Sequence, residues 1–444
     1  MAELLAANIG GDERIQARAE SDKPNEASEA RSRLLDESGI QGPQSKVIPN
    51  RYIITMKDRP GLAAGAPADQ GQIENLVSNL RFDPRSRSDT IVFRHAISGF
   101  AATLSPAEKR LIESDPNVLA VEQDRVVSRQ PVKRSLMAAG PRKELQTGVE
   151  RVEGHLSPTA NAPGGVDATI AIIDTGINLR HPDLNVVRQK SFVPGVATAE
   201  DDDGHGSHVA AIAAARKDGH GTVGVAPGAR LWALKALDKD GNGSWSQIIA
   251  AIDYVTQHAD KVDVVNMSLS DTEQSKALDR AINRSVDAGV TYVVAAGNDA
   301  RDAKLEAPSN HPRVLTVSAI SDGNGKGGGG ANPACEPDEV DDAFATFSNY
   351  GKNVRLAAPG VCIEAASKRQ GNDVDTYESM SGTSMAAPHA AGGAALIKAK
   401  NRSASPDQVI DKLISEAKQQ SDPLYGFTGD TDGYSEPLLN VKNL

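Results

Sequence analysis

Four residues of this chain could together run a nucleophilic acyl transfer: Asp174, His205, Asn298 and Ser384. A serine hydroxyl attacks a carbonyl only when a neighbouring base takes its proton. The base must be oriented by a carboxylate, and the charge arriving on the carbonyl oxygen needs hydrogen-bond donors. Serine, histidine, aspartate and an asparagine amide fill those roles. Taken singly, each has a plainer reading. Ser384 opens an alanine- and glycine-rich stretch and could be a helix N-cap. Asp174 could cap a turn, His205 could be a surface histidine between glycines, and Asn298 could belong to a Gly-Asn turn. His205 and His208 stand three apart, as a metal-binding pair could. However, no HExxH is present, and the alanine-rich stretch that follows offers no further ligand.

The surrounding sequence predicts elements that would position these four. Asp174 directly follows an apolar strand at 168–173, and Asn298 closely follows another at 290–295. His205 precedes a helix at 208–215. Ser384 starts a helix at 384–400, where Gly382 permits a tight turn and Pro388 is read as tolerable close to the helix start. A serine there lies at the positive end of the helix dipole, beside free N–H groups. The small residues that follow suit a helix buried in the middle of a domain. Further apolar strands at 230–236, 262–267, 313–318 and 354–357 alternate with helices at 246–258, 273–288 and 408–417. This alternation predicts an α/β domain with a doubly wound, mainly parallel sheet, whose ligands bind at the carboxyl ends of the strands. The run GNGKGGGG at 323–330 is a flexible insertion, since it lacks the Gly-Lys-Ser/Thr ending of a phosphate loop.

The N-terminal part is different. Residues 1–46 are polar and read as a disordered tail. Between 47 and 122 the pattern is strand, helix (69–82), two short strands (90–95 and 99–104), helix (107–114) and strand (118–122), a small α+β, ferredoxin-like arrangement. Ser105 and Pro106 mark the start of the second helix. Residues 124–146 are basic and read as an exposed, protease-accessible linker. The net charge of −11 argues against nucleic acid and anionic membranes as partners. No apolar run reaches the eighteen or so residues of a membrane span. The first residues show neither a basic start nor an apolar core of a secretory signal. The two cysteines, Cys335 and Cys362, are too few for a zinc site and could form one bridge or remain thiols.

The motifs around the four residues carry a resemblance. IIDTGINLRHPDL (172–184), DGHGSHVAAI (203–212), VVNMSLS (264–270), VVAAGN (293–298) and SGTSMAAPHAAG (381–392) stand in the order of the subtilisin-like serine proteases, the subtilases. The Asp…His…Ser order is that of subtilisin itself. An α/β-hydrolase needs Gly-x-Ser-x-Gly and serine before histidine, and this chain has neither. The resemblance implies Ser384 as nucleophile, His205 as base, Asp174 as its orienting carboxylate, and Asn298 with the Ser384 N–H as oxyanion hole. It implies that Ser268, Leu269 and Ser270 pair with substrate backbone, with Ala296 and Gly297 beside them. Trp245, after Gly241-Asn242-Gly243-Ser244, would wall the opposite rim. It also implies a broad endopeptidase, with apolar or large residues favoured at P1. Asp183 and Asp218 match positions that bind structural Ca2+, and Cys335 with Cys362 falls where some relatives carry cysteines. The segment 47–128 resembles the I9-type inhibitor propeptide. The implied organisation is tail 1–46, propeptide 47–128, linker with autoprocessing site 129–146 and peptidase domain 147–444. The expected protein is an exported, monomeric zymogen inhibited by its own propeptide. The alternative is an inactive relative that only binds peptides.

Overall fold

Residues 47–57, 88–135, 145–368, 375–430 and 432–444 are described by the computed structural model. The expected tail 1–46 and helix 69–82 lie outside them. The first strand, β1 (Val47–Met56), pairs antiparallel with β3 (Gly99–Thr103) and β4 (Val118–Arg129), and β2 (Ile91–Phe93) adds to β3. The order β4-β1-β3-β2 is that of the split βαβ arrangement. Helix Pro106–Glu113 packs under it. Ser105 accepts from the Glu108 N–H, and the Glu108 side chain answers to the Ser105 N–H, a capping box with proline in the first turn. Ile54, Phe100, Leu104 and Ile112 form this unit's core.

The strand expected to end at Glu122 continues to Arg129, and a short strand β5 (Lys133–Ser135) follows. Residues 124–135 are therefore not an exposed linker. Asp124, Val127 and Gln130 are buried. From Val126 to Arg129 the backbone pairs with strands more than a hundred residues away.

The chain then forms β6 (Thr169–Asp174), β7 (Val186–Ser191), β8 (Arg230–Lys235), β9 (Asn242–Ser244), β10 (Val264–Met267), β11 (Leu269–Ser270), β12 (Thr291–Ala295), β13 (Leu315–Ser321), β14 (Ala343–Phe344), β15 (Val354–Pro359), β16 (Ile363–Ser367) and β17 (Thr376–Ser381). Seven of these lie parallel in the order β7-β8-β6-β10-β12-β13-β15, and β14 joins antiparallel at β13. Every residue of β6 is buried. Its alternate residues feed two cores: Ile170 and Ile172 face one, Ala171 and Ile173 the other. Helices Trp245–Gln257 and Lys276–Asp287 fill the second core. Helices His205–Ala214 and Thr383–Lys400 fill the first. The last of these is buried from Thr383 to Lys398, and its Ala386, Ala387, Ala390 and Ala391 have no exposed surface. A Cβ on Gly392 would stand 2.6 Å from the Val225 Cβ, so small residues are what admit this helix to the sheet.

Candidate active site

Asp174 is the last residue of β6, at the carboxyl edge of the sheet, and is fully buried. His205 is the first residue of its helix, which begins three residues earlier than the sequence suggests. Gly204 turns the chain into it with φ 100°, and a Cβ there would lie 2.6 Å from the Lys368 carbonyl oxygen. The imidazole Nδ1 stands 2.8 Å from Asp174 Oδ1. An ionised carboxylate only accepts, so this bond puts the proton on Nδ1 and leaves Nε2 free as a base. Nε2 is buried and makes no hydrogen bond among the described residues. The loop is held by Asp201, which accepts from Thr175 Oγ1, Gly204 N and the Ser207 hydroxyl and N–H. Burial pushes the Asp201 carboxyl above its ordinary value, against those donors. His208 does not join a metal pair with His205. Its Nε2 meets the Glu378 carbonyl at 3.1 Å, and burial lowers its pKa to about 3.

Ser384 is the second residue of helix Thr383–Lys400. Pro388 consequently lies inside the helix, not in its first turn. Having no N–H, it leaves the carbonyl four residues back without an intrahelical donor. That carbonyl belongs to Ser384, and the Ser268 hydroxyl donates to it at 3.1 Å. In return, Ser384 Oγ donates to the Ser268 carbonyl at 3.3 Å. Gly382 has φ 162°, extended backbone that any residue adopts. The glycine is required for space: a Cβ would sit 3.0 Å from Asn298 Nδ2 and 3.1 Å from Val132 Cγ1.

Asn298 follows β12. Its Oδ1 accepts from the Thr383 N–H at 2.8 Å and hydroxyl at 2.7 Å, which fixes the amide orientation. The Nδ2 then points into the cleft and donates to the Pro131 carbonyl at 2.7 Å. A backbone carbonyl of the chain's own N-terminal part thus lies where an oxyanion donor is aimed.

That carbonyl belongs to a strap across the cleft. The end of β4 pairs antiparallel with β11 (Arg129 with Leu269, Ser128 with Ser270) and with β9 (Val126 with Ser244, Val127 with Gly243). Beyond Pro131, β5 pairs with β17. Arg129 and Arg134 both bridge to Asp203, and Lys133 to Glu336. Asp203 is held below its ordinary pKa; burial opposes this, and the two guanidiniums outweigh it. Trp245 is buried in the same apolar cluster as Val127 and Leu269. Ala296 and Gly297 lead into Asn298, and Gly297 N–H donates to the Thr383 hydroxyl. Cys335 and Cys362 are bonded, with Cα atoms 5.8 Å apart, tying the insertion that carries Glu336 to the start of β16.

Asp183 and Asp218 are the positions where the resemblance implies calcium. Asp183 Oδ2 accepts from the Thr222 N–H and the Tyr377 hydroxyl, both at 3.0 Å, and Asp218 accepts from the His220 N–H. Asp183 Oδ1 is buried and makes no hydrogen bond among the described residues. Among the described residues no group of three or more His, Cys, Asp or Glu side chains is gathered to hold a metal.

Comparison with known proteins agrees with this geometry. The subtilase family model matches residues 165–429, more than half the chain, and that of the peptidase inhibitor I9 matches residues 51–130. The chain belongs to the subtilase family. It is 33% identical over 403 residues to alkaline serine exoprotease A of Vibrio alginolyticus, covering 89% of this chain and 68% of that protein. It is 33% identical over 394 residues to an alkaline protease of Alkalihalobacillus alcalophilus, covering 88% and 90%. Subtilisin E of Bacillus subtilis (strain 168) is 32% identical over 352 residues, 78% of this chain and 80% of that one. The crystal structure of a cold adapted subtilisin-like serine proteinase superposes with a TM-score of 0.55 at 31% identity, covering 67% of this chain and 99% of that one. This subtilase is therefore a subtilisin-like serine peptidase with an I9 inhibitor region. Sequence reasoning missed Asp201, Thr383, Gln130 and Glu306. The triple aspartate at 201–203 beside His205 was a usable signal for the first. Nothing local marks the others.

Proposed function

We propose that this subtilase hydrolyses protein substrates through Ser384, His205 and Asp174, and is made as a zymogen whose residues 47–128 fold as the inhibitor and whose tail fills the cleft. The observation that carries the reading is the 2.8 Å contact between Asp174 and His205 beside the buried start of the serine helix. The Ser384 hydroxyl turns from the Ser268 carbonyl and gives its proton to His205 Nε2 as Oγ attacks the substrate carbonyl carbon. Asn298 Nδ2, with the Ser384 N–H at the helix start, takes the developing negative charge. Asp174 holds the imidazolium in place. Collapse of the intermediate breaks the C–N bond, and His205 gives the proton to the leaving amine. Water, activated by the same base, then releases the acyl group. Substrate backbone enters as a strand between β9 and β11, the mode the strap already uses.

The proposed organisation is tail 1–46, inhibitor 47–128, processed linker 129–146 and peptidase domain 147–444, with export and a monomeric state. The disulfide suits an oxidising compartment. Calcium would act as a structural ion only, and a chelator-insensitive thermal midpoint excludes it. The decisive experiment is peptide hydrolysis by the matured enzyme with and without phenylmethylsulfonyl fluoride, alongside a Ser384→Ala chain. Inhibitor-sensitive activity, and a Ser384→Ala chain that stays full length, are expected. A matured protein without such activity supports the peptide-binding alternative.

A further inference from the structure

The strap leaves one side chain deep in the cleft wall. Gln130 follows Arg129, which pairs with Leu269, so the strand delivers it next to Ser384 and Asn298, at the position of a P1 residue. It is 5% exposed. Its amide is gripped at both ends. Nε2 donates to the Ser270 hydroxyl and, at 3.2 Å, to Glu306 Oε2, while Oε1 accepts from the Asn298 backbone N–H at 3.3 Å. Glu306, the floor of the pocket, is 1% exposed. Its other oxygen is held by Arg301 Nε and Nη2, at 3.0 and 2.8 Å, and by Asn349 Nδ2 at 2.8 Å. Asp299 bridges to the same arginine. The carboxylate is thus fixed with Oε2 facing the incoming side chain. Gly297 completes the wall: a Cβ there would lie 2.7 Å from Glu306 Oε2. This pocket differs from the apolar one that the family resemblance led us to expect.

A site built to hydrogen-bond a substrate group strongly rejects an analogue that lacks it, because its own buried polar groups are left unpaired. With an apolar P1 residue Glu306 Oε2 keeps the Ser270 hydroxyl as a donor but loses the amide, and the Asn298 N–H has no substrate partner. A glutamate places like charge against Glu306. A lysine satisfies Glu306 but offers no acceptor to the Asn298 N–H. We propose that Ser270, Glu306 and the Asn298 backbone N–H form an amide-selective P1 pocket, so that this enzyme cuts preferentially after glutamine. The proposal rests on the catalytic reading of Ser384 and His205. The strap escapes being a good substrate because it is out of step: Gln130 fills the pocket, yet the carbonyl at Asn298 Nδ2 belongs to Pro131. The peptide bond that Gln130 itself presents is the imide to proline.

The test uses enzyme matured from the full chain, its active sites counted by labelling with a fluorophosphonate. Peptides identical except for Gln, Glu, Lys, Leu or Phe at P1 are compared by kcat/KM. Glutamine is expected to exceed leucine, phenylalanine and glutamate at least tenfold and lysine several-fold. A Ser270→Gly enzyme should show a glutamine-to-leucine ratio at least threefold smaller. Should that variant fail to mature, the wild-type series decides alone. Labelled enzyme that prefers any other P1 residue, or that does not separate them, overturns the pocket and leaves the catalytic reading intact. Absence of both labelling and hydrolysis overturns the catalytic reading, and the pocket with it.

Discussion

Pro388 and Ser268 make a prediction that depends on a single missing hydrogen. Proline at 388 deprives the Ser384 carbonyl of its helical donor, and Ser268 Oγ supplies the substitute at 3.1 Å. Ser268 also accepts from Asn266 Nδ2 at 3.0 Å. Asn266, Ser268 and Ser384 are fully buried. Ser268→Ala leaves the Ser384 carbonyl and the Asn266 amide unpaired, each at about 1–3 kcal/mol, so a loss of about 2–6 kcal/mol is expected. Pro388→Ala restores an N–H to position 388, and the helix can then satisfy the Ser384 carbonyl itself. In the double variant the carbonyl's share of the loss disappears, giving a coupling of about 1–3 kcal/mol. Guanidinium unfolding of the sulfonylated enzymes, which cannot digest themselves, measures it. The carbonyl also anchors the residue whose N–H faces the oxyanion, so kcat should fall in Ser268→Ala and recover in the double variant. Strictly additive stabilities, or a Ser268→Ala enzyme as stable as wild type, would refute the reasoning.

Three further outcomes are expected. Asn298→Ala should lower kcat by about 10²–10³ with little change in KM, a magnitude established for the oxyanion asparagine of subtilisin and carried over within the family; a loss below tenfold in steady-state assays would remove Asn298 from the hole. Asp253 Oδ1 accepts the Arg94, His95 and Ala96 N–H groups at 2.9, 2.6 and 2.7 Å, clamping the inhibitor to helix Trp245–Gln257. Asp253→Ala should weaken inhibition of the mature enzyme by its added inhibitor segment roughly 10²–10³-fold, and an unchanged Ki contradicts the clamp. Glu436 is 2% exposed, and burial, with Asp430 beside it, pushes its pKa from 4.5 up to about 9. The folded chain therefore keeps a proton that the unfolded chain releases. The resulting stability is complete below the ordinary glutamate value and is lost as pH rises towards 9, by at most about 1.4 kcal/mol per pH unit. Thermal midpoints between pH 5 and 9 should fall more steeply in wild type than in Glu436→Gln, and parallel curves would exclude Glu436 as the cause.

The parts of the site that were legible in sequence are those fixed by local rules. Asp174 follows an apolar strand, Asn298 comes soon after another, and Ser384 precedes a run of residues too small for anything but a buried helix. Details that depend on what lies opposite were not legible. Gly382 looked like a residue needed for its backbone freedom, but its φ is ordinary, and the restriction comes from Asn298 and Val132 across the cleft. Pro388 reads in sequence as a proline close to the helix start, whereas it lies inside helix Thr383–Lys400. What sequence does not reveal is the consequence, a Ser384 carbonyl that takes its donor from Ser268 and not from the helix.

The strap shows the same limit at larger scale. Arg125, Arg129, Lys133 and Arg134 around a proline have the composition of an exposed linker, and by composition alone that reading is sound. A strand needs partners for its backbone, and here they are β9 on one side and β11 on the other, both supplied by the peptidase domain. The basic side chains are equally deceptive, because Arg129 and Arg134 converge on Asp203, two residues before His205. A segment that must lie in a substrate cleft has to look like substrate, polar and extended, and so resembles linker in any one-dimensional view. Its restraint from cleavage is likewise invisible in sequence. It arises because pocket and oxyanion donor are occupied by successive residues, Gln130 and Pro131, while the nucleophile still donates to Ser268. Attack requires the carbonyl in the hole and the side chain in the pocket to belong to one residue, and the strap as seated cannot meet that condition.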